Sequence, residues 1–296
     1  MSWRSAVHRS RIGASHRRKG LLCQDYSLTS QFFSRNGVPI KLLAVADGHG
    51  GSRYWRSHVG SRLACEMAIQ QARQGLEKGV LECSVPTSSI LPQWHQWLHH
   101  DLPEKILSEW RIAVANDWQF SKKSGDFETA SFSLDFYGST LGLVVLTPHW
   151  WGCTGLGDWD LVCAKSKENQ GFINAELVNQ EIILGKQGES TFSLCRDDAM
   201  KHFGERCSVH CIESNETPFA LVLSTDGIRK ACAADRDFLT LSSYLANEGS
   251  LVVGDGECNE LDQDLDRITS EGSGDDVSVA IGIYGELNQK SRGDGK

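Results

Sequence analysis

The 296-residue sequence lacks any apolar run that approaches the ~20 residues needed for a membrane-spanning helix. Positive charge is also scarce: the formal net charge is -8, and no basic stripe is present beyond the triplet at residues 17–19. These two absences predict a protein with neither a membrane partner nor a nucleic-acid partner. Residues 1–4 lack the apolar stretch of a signal peptide, so we expect a cytoplasmic protein.

Paired cysteine motifs are absent as well, although the chain has 10 cysteines. They are scattered singly, which favours reduced thiols that pack as small apolar side chains over a disulfide framework. One tight cluster, Cys207, His210 and Cys211, has two interpretations. A zinc site would need a fourth ligand and a more usual spacing, and a short strand carrying these residues is the commoner case.

Most of the sequence alternates short apolar runs of strand character with turn-forming residues. The predicted strands are 3–14, 26–33, 41–46, 140–146, 151–156, 161–165, 172–177, 219–225 and 276–283. Because they follow one another as hairpins and do not alternate with helices, we expect mainly antiparallel sheets.

Segments with helical spacing of apolar residues lie between these blocks of strands. The predicted helices follow a cap at Ser52, span 94–118 with an interruption at Pro103, and cover 236–247 and 260–270. The tryptophans of the second helix are interpreted as core residues and not as a ligand-binding stripe. The predicted fold is therefore α+β: a four-layer αββα sandwich of two mainly antiparallel sheets flanked by helices.

The chain is predicted to form one domain over residues 1–296. Residues 74–92 are rich in glycine, proline and serine and are interpreted as a variable insert. Residues 180–215 are interpreted as a flap-like irregular excursion over one face, and residues 286–296 as a flexible tail.

Two of the predicted strands stop at an Asp-Gly pair, at Asp47-Gly48 and at Asp226-Gly227, and the first pair continues into His-Gly-Gly. A strand delivers the aspartate to a fixed point. The glycine lets the backbone turn sharply and bring a carbonyl close to whatever the aspartate holds. Two such endings in one chain indicate strand ends that converge on a hard cation such as Mg²⁺ or Mn²⁺.

Three further aspartates, Asp25, Asp158 and Asp275, lie at strand boundaries beside small or turn-forming residues. Each alone is a common turn cap. Five converging carboxylates would repel one another, whereas two divalent ions bridged by one carboxylate remove the repulsion and lower the pKa of a shared water. An all-oxygen ligand set disfavours a zinc peptidase. The residues thus predict a metal-dependent hydrolase whose water attacks a phosphorus or a carbonyl.

The order and context of these motifs resemble the PP2C family of metal-dependent serine/threonine protein phosphatases, in particular a compact bacterial branch. The motifs are Gly13-Ala14-Ser15-His16, Cys23-Gln24-Asp25, Asp47-Gly48-His49-Gly50-Gly51, Gly138-Ser139-Thr140, Gly157-Asp158, Ser224-Thr225-Asp226-Gly227 and Gly274-Asp275-Asp276. The resemblance runs from about residue 12 to residue 284. It implies a β-sandwich flanked by helices, with a two-metal centre at one end.

The resemblance also implies a set of metal ligands. Asp47 would bridge two Mn²⁺ or Mg²⁺ ions, and the carbonyl of Gly48 would bind one of them. Asp226 and Asp275 would ligate the other ion. Asp25 would act through a metal-bound water.

His49 would be the general acid that protonates the leaving seryl or threonyl oxygen, a task that suits a side chain titrating near neutrality. The alternative for His49 is a turn residue satisfied by the backbone. Asp276 is the adjacent alternative to Asp275, but Asp275 keeps the phase of the strand that follows.

Three positions depart from the family pattern. Gln24 stands where many members have glutamate. Gly20 stands where the family often has a phosphate-binding arginine, five residues before Asp25, and Arg17, Arg18 or His16 could substitute for it.

The third departure is Lys230, which stands where the family has an acid that completes a further metal site with the residues matching Asp158 and Asp226. A lysine would place a positive charge where a cation should go. We therefore expect a third metal ion to bind weakly or not at all.

The sequence thus predicts a phosphatase that hydrolyses phosphoserine and phosphothreonine by attack of a water bridging two metal ions. Its partner would be a phosphorylated protein that a Ser/Thr kinase modifies, and the chain is expected to be a monomer. Two alternatives stay open: a catalytically weak module that binds phosphoproteins, and a hydrolase of small phosphate esters.

Overall fold

The computed structural model describes residues 1–81, 83, 90–123, 131–167, 171–178, 192–252 and 259–286. Its backbone is built on ten strands. They are β1 (Trp3–Arg11), β2 (Tyr26–Phe33), β3 (Pro39–Ala46), β4 (Leu141–Leu146), β5 (Trp150–Leu156), β6 (Asp160–Ser166), β7 (Phe172–Leu177), β8 (Ser208–Cys211), β9 (Phe219–Ser224) and β10 (Val277–Tyr284).

The strands form two five-stranded sheets in which every pairing is antiparallel. One sheet has the order β1-β10-β9-β6-β7 and the other β2-β3-β4-β5-β8. The expected antiparallel sandwich is confirmed, and most predicted strands begin and end within about one residue of the observed bounds.

Helices cover the outer face of each sheet. The described α-helices are α1 (Ala14–Lys19), α2 (Ser57–Glu77), α3 (Leu91–Gln96), α4 (Leu102–Lys123), α5 (Ala199–His202), α6 (Asp226–Lys230), α7 (Asp235–Leu251) and α8 (Asn259–Ile268). Helices α2 and α4 pack on the sheet that contains β3, and α7 and α8 on the sheet that contains β9. None of the described helices is long and apolar enough to cross a membrane.

Alternation along the central strands explains why both faces of each sheet are apolar. On β3, Leu42 and Ala44 face the α2 and α4 layer, whereas Leu43 and Val45 face the other sheet. The run is therefore apolar throughout and not alternating, because both of its faces are buried. The tryptophans of the predicted second helix lie in the core, as expected.

Two helix predictions need correction. The helix predicted from Ser52 starts only at Ser57, after a 3₁₀ turn at Ser52–Tyr54, and the Ser52 side chain caps nothing. That helix also continues to Glu77, into the predicted insert. Gly75 lies inside this helix and does not end it. A Cβ at this position would lie 3.1 Å from the ring of Trp97, so the glycine lets the two helical segments approach closely.

The expected interruption near Pro103 is present as a π-helical turn at Trp97–Asp101, directly before α4. Pro103 is the second residue of α4, two positions after the end of this turn. Of the predicted insert, residues 82 and 84–89 lie outside the described residues.

Where the structure describes the predicted excursion at 180–215, turns join two short regular elements. It contains α5 and the edge strand β8, which pairs with β5. The strand interpretation of the Cys207–His210–Cys211 cluster agrees with this arrangement, and the nine described cysteines are free thiols. Residues 180–191 of the excursion and residues 287–296 of the predicted tail lie outside the described residues.

Candidate active site

The five aspartates singled out in the sequence lie at one end of the sandwich and line one cavity of about 260 Å³. Asp25 directly precedes β2, and Asp47 directly follows β3. Since Tyr26 pairs with Ala46 across these antiparallel strands, Asp25 and Asp47 lie at the same end of the sheet.

The other sheet contributes in the same way. Asp226 begins α6 just after β9, and Asp275 lies just before β10, which pairs with β9. Asp158 lies in the turn between β5 and β6, where the chain passes from one sheet to the other. The convergence expected from the strand ends is therefore present.

Asp47 lies at the electrostatic centre of this group. Burial raises its pKa well above the usual range, and the negative charges of Asp25, Asp226, Asp158 and Asp275 raise it further. This is the repulsion that a shared cation would remove.

Two of the neighbouring carboxyls show the same effect. Burial raises the pKa of Asp25, although a hydrogen bond from Thr225 opposes the rise. Burial and the charge of Asp158 raise the pKa of Asp226 to about 7, against the opposing effect of Lys230.

Asp25 is positioned by a threonine that the sequence analysis did not single out. The hydroxyl of Thr225 donates to Asp25 Oδ2 over 2.6 Å and accepts from the backbone N–H of Ser278 over 3.0 Å. The Ser-Thr-Asp-Gly motif therefore carries two groups of the site, since its threonine ties the first carboxylate to the β9 and β10 ends.

We expect Thr225→Val to lower Mn²⁺ affinity by about 10–100-fold, because Asp25 loses its donor and the Ser278 amide loses its acceptor. Thr225→Ser keeps the hydroxyl and should stay close to wild type. Isothermal titration with Mn²⁺ measures both variants. Equal affinities in wild type and Thr225→Val would show that Thr225 does not act on the metal ligands.

Gly48 must be glycine because the backbone is crowded there. Its amide donates to the carbonyl of Gln24, and a Cβ would lie 2.6 Å from that carbonyl and 2.8 Å from the carbonyl oxygen of Ser57. A larger residue would have to displace β3 or α2, so the turn after Asp47 keeps the position that the two strands give it.

His49 lies at the cavity wall with its backbone and ring both held. Its amide donates to the carbonyl of Gly138 over 3.0 Å, and its ring contacts Tyr54 edge to face with 5.0 Å between centroids. Burial lowers the pKa of His49, while the charge of Asp158 raises it.

Asp275 and Asp276 have different surroundings. Asp276 is buried and accepts hydrogen bonds from the backbone amides of Gly13 and Gln24, and its Oδ2 lies 2.9 Å from His16 Nδ1. Asp276 therefore fixes the loop before β2 to the start of β10. Asp275 lines the same cavity and its Oδ2 meets Lys230, and the choice of Asp275 over Asp276 as the metal ligand stays a prediction.

Lys230 reaches the cavity from the end of α6. Its Nζ lies 2.9 Å from Asp226 Oδ1 and 2.8 Å from Asp275 Oδ2. The ammonium group thus neighbours Asp226, as the sequence predicted, but its second partner is Asp275 and not Asp158.

The two side chains proposed to bind phosphate are differently placed. His16 lines the cavity, but its Nδ1 is bound to Asp276. Arg17 is not among the lining residues; it lies on the exposed side of α1, 3.2 Å from Asp266. Each of these side chains therefore has an acidic partner already, and their role as phosphate ligands stays a prediction.

A family model described as protein phosphatase 2C matches residues 12–266. The chain belongs to the protein phosphatase 2C family. Members of this family are phosphatases that use divalent metal ions, and this confirms the family expected from the motifs. A comparison with curated proteins found no significant match.

Solved structures share the fold of this phosphatase 2C chain. A bacterial serine phosphatase superposes with a TM-score of 0.52 at 12% identity, and the alignment covers 95% of this chain and 98% of that one. The serine/threonine phosphatase of S. agalactiae has a TM-score of 0.50 at 16% identity, with 95% and 99% of the two chains covered. At these identities the likeness establishes the shared sandwich alone.

The cavity has the chemistry that the family's divalent ions require. Its carboxylate oxygens are hard ligands, and the buried Oδ1 of Asp226 accepts no well-aligned hydrogen bond from any described residue. Within the described ranges, however, no three acidic, imidazole or thiol side chains are already close enough to hold one ion. Mg²⁺ and Mn²⁺ sites commonly use one or two carboxylates completed by other oxygen ligands and water, so this donor set fits such an ion, and Lys230 competes with it at Asp226 and Asp275.

Proposed function

We propose that this phosphatase hydrolyses phosphoserine and phosphothreonine in proteins with two Mn²⁺ or Mg²⁺ ions held by the aspartate cluster. The observation that supports this most strongly is the position of Asp47, whose ionisation is opposed by burial and by four other aspartates at once. A fold has no structural reason to keep these charges together, since each raises the free energy of the metal-free state.

The residues would divide the ligand roles as follows. Asp47 would be shared by both ions, with the Gly48 carbonyl on one, and Asp226 and Asp275 would hold the other. Asp25, fixed by Thr225, would orient water, and Asp158 would contribute charge. When bound, the ions supply an activated water as the nucleophile and neutralise charge on the phosphoryl group.

His49 would be the general acid for the leaving group. Its ring is held by Tyr54 beside the cavity, where it can donate a proton to the seryl or threonyl oxygen as the phosphorus–oxygen bond breaks. Burial lowers the pKa of His49, and the charge of Asp158 opposes this and so supports the protonated ring that a general acid needs. This is the only described histidine ring at the cavity that is not bound to Asp276.

A manganese-dependent assay on p-nitrophenyl phosphate and on a phosphothreonine peptide tests the proposal. Hydrolysis of both supports a protein phosphatase. Hydrolysis of neither would contradict it in favour of a phosphoprotein-binding module, and hydrolysis of the small ester alone would indicate a small-ester hydrolase.

The raised carboxyl pKa values also predict how the metal-free protein responds to pH. Asp226 titrates near 7 in the folded chain, above its ordinary value of 3.8, so the folded state binds more protons than the unfolded state in that window. Stability must then fall as pH rises from about 4 to about 7. We expect the Tm in EDTA to decrease over this range, and Mn²⁺ to raise it most at the upper end.

Asp226→Asn is the matched variant for this experiment. It removes the titrating group, so its metal-free Tm should depend less on pH than that of wild type and should be higher near neutrality. Thermal unfolding followed by circular dichroism measures both. The same pH dependence in the two proteins would show that Asp226 is not under the expected strain.

A further inference from the structure

The cavity contains one group whose purpose the ligand roles above do not explain. Lys230 is the one lysine or arginine among the described residues that line it. Its side chain is half-exposed, and its ammonium group contacts two carboxylates that belong to different elements, Asp226 at the start of α6 and Asp275 before β10. Helix α6 is short and fixed directly to β9, so this charge has a defined position at the cavity edge.

A phosphate ester carries negative charge that needs a positive partner beside the metal ions. The position where the family often has an arginine is Gly20, and the neighbouring cations have other partners. Arg17 is paired with Asp266 and His16 with Asp276, while Arg53 donates to Asp135 over 2.6 Å. Lys230 also has acidic partners, but they are Asp226 and Asp275, the two carboxylates proposed to hold a metal ion, and it is the one lysine or arginine among the described residues that line the cavity.

We propose that Lys230 binds the phosphoryl group of the substrate in place of the missing arginine. This deepens the proposed function and rests on it. The ammonium group lies between Asp226 and Asp275, the two carboxylates proposed to hold one of the ions. With their charge taken up by a metal ion, the three N–H donors of Lys230 would be available to the phosphoryl oxygens of a substrate in the same cavity.

The chemistry of lysine defines what this site recognises. A lysine acts as a point charge on a flexible chain and lacks the two-pronged geometry of arginine. Lys230 should therefore strengthen phosphate binding mainly through charge, and arginine at this position should serve as well. Lys230 lies beside Asp226 and Asp275, the proposed metal ligands. Its positive charge should therefore also oppose metal binding there.

The test uses Lys230→Met and Lys230→Arg, with Lys165→Met as the matched control. Lys165 is also a half-exposed lysine beside a carboxylate, with its Nζ 3.7 Å from Glu176, but it lies on β6 outside this cavity. Two titrations are measured by calorimetry: Mn²⁺ into the metal-free protein, and inorganic phosphate into the manganese-loaded protein. Circular dichroism checks that each variant is folded.

We expect Lys230→Met to weaken phosphate binding by about tenfold or more, because a charge-assisted hydrogen bond is lost, and to bind Mn²⁺ at least as tightly as wild type. Lys230→Arg should bind phosphate nearly as wild type does, and Lys165→Met should match wild type in both titrations. In turnover, Lys230→Met should raise KM more than it lowers kcat. Opposite changes in metal and phosphate affinity would not arise from a merely structural role.

Unchanged phosphate affinity in Lys230→Met would overturn the inference, and so would a parallel loss of Mn²⁺ affinity. Neither titration requires turnover, so the result is separable from the proposed function. If wild type binds phosphate through Lys230 but hydrolyses no ester, the inference stands and the proposed function fails. If wild type is active and Lys230→Met binds phosphate as wild type does, the proposed function stands and the inference about Lys230 fails.

Discussion

Asp47→Asn should abolish phosphatase activity, with a loss of at least about a hundredfold in kcat/KM at saturating Mn²⁺. Asparagine keeps the shape of the side chain but removes the charge that both ions would share. It therefore lowers metal affinity and leaves the nucleophilic water less acidic. Initial rates on a phosphothreonine peptide over a range of Mn²⁺ concentrations measure the loss.

Asp226→Asn should have a similar effect through the second ion alone. The control is Asp262→Asn, which removes an aspartate charge from α8. Asp262 pairs with Arg9 and Arg11 and is not among the residues that line the cavity. Activity within about tenfold of wild type in Asp47→Asn or Asp226→Asn would contradict the two-metal proposal.

His49→Ala should lower the rate on a phosphoserine peptide by about 10²–10⁴-fold and the rate on p-nitrophenyl phosphate much less. A serine alkoxide needs a proton as it leaves, whereas p-nitrophenolate leaves without one. The two substrates share the metal ions and the nucleophile, so their ratio isolates protonation of the leaving group.

Metal titration provides the control for this variant. Manganese affinity in His49→Ala should be near that of wild type, because the ring is not among the proposed ligands. Equal losses on both substrates would show that His49 is structural or has another task.

The sequence was sufficient for the sandwich and for the group of aspartates because both depend on local patterns. Short runs of strand character bounded by turn-forming residues predict strands such as Phe172–Leu177 to the residue. The Asp-Gly endings predict that Asp47 and Asp226 lie at strand ends, and this prediction needs no knowledge of distant contacts. The two strands belong to different sheets, and the packing of one sheet on the other brings these ends to one cavity.

Tertiary contacts decided what the sequence missed. The first long helix begins at Ser57 and not at Ser52 because Gly51 has a positive φ and the amide of Arg56 is bound to the carbonyl of Phe136. The sequence left strand β8 open against a zinc site; the strand has four residues and is held by its pairing with β5. Both depend on residues far along the chain.

Side-chain direction was likewise hidden from the sequence. Two adjacent aspartates precede β10, and only the fold shows that Asp276 binds backbone amides while Asp275 meets Lys230. The sequence indicates Arg17, Arg18 or His16 as the phosphate-binding residue, because they lie close to the position of the missing arginine. The only lysine among the described lining residues instead comes from α6, more than two hundred positions away.

The most direct test of the two-metal proposal is anomalous X-ray diffraction from crystals of the phosphatase grown with Mn²⁺. We expect two manganese peaks bridged by the carboxylate of Asp47, one also bound by the Gly48 carbonyl and the other by Asp226 and Asp275. Manganese peaks elsewhere with none at Asp47, or an Asp47 carboxylate that binds no ion at saturating Mn²⁺, would contradict the account.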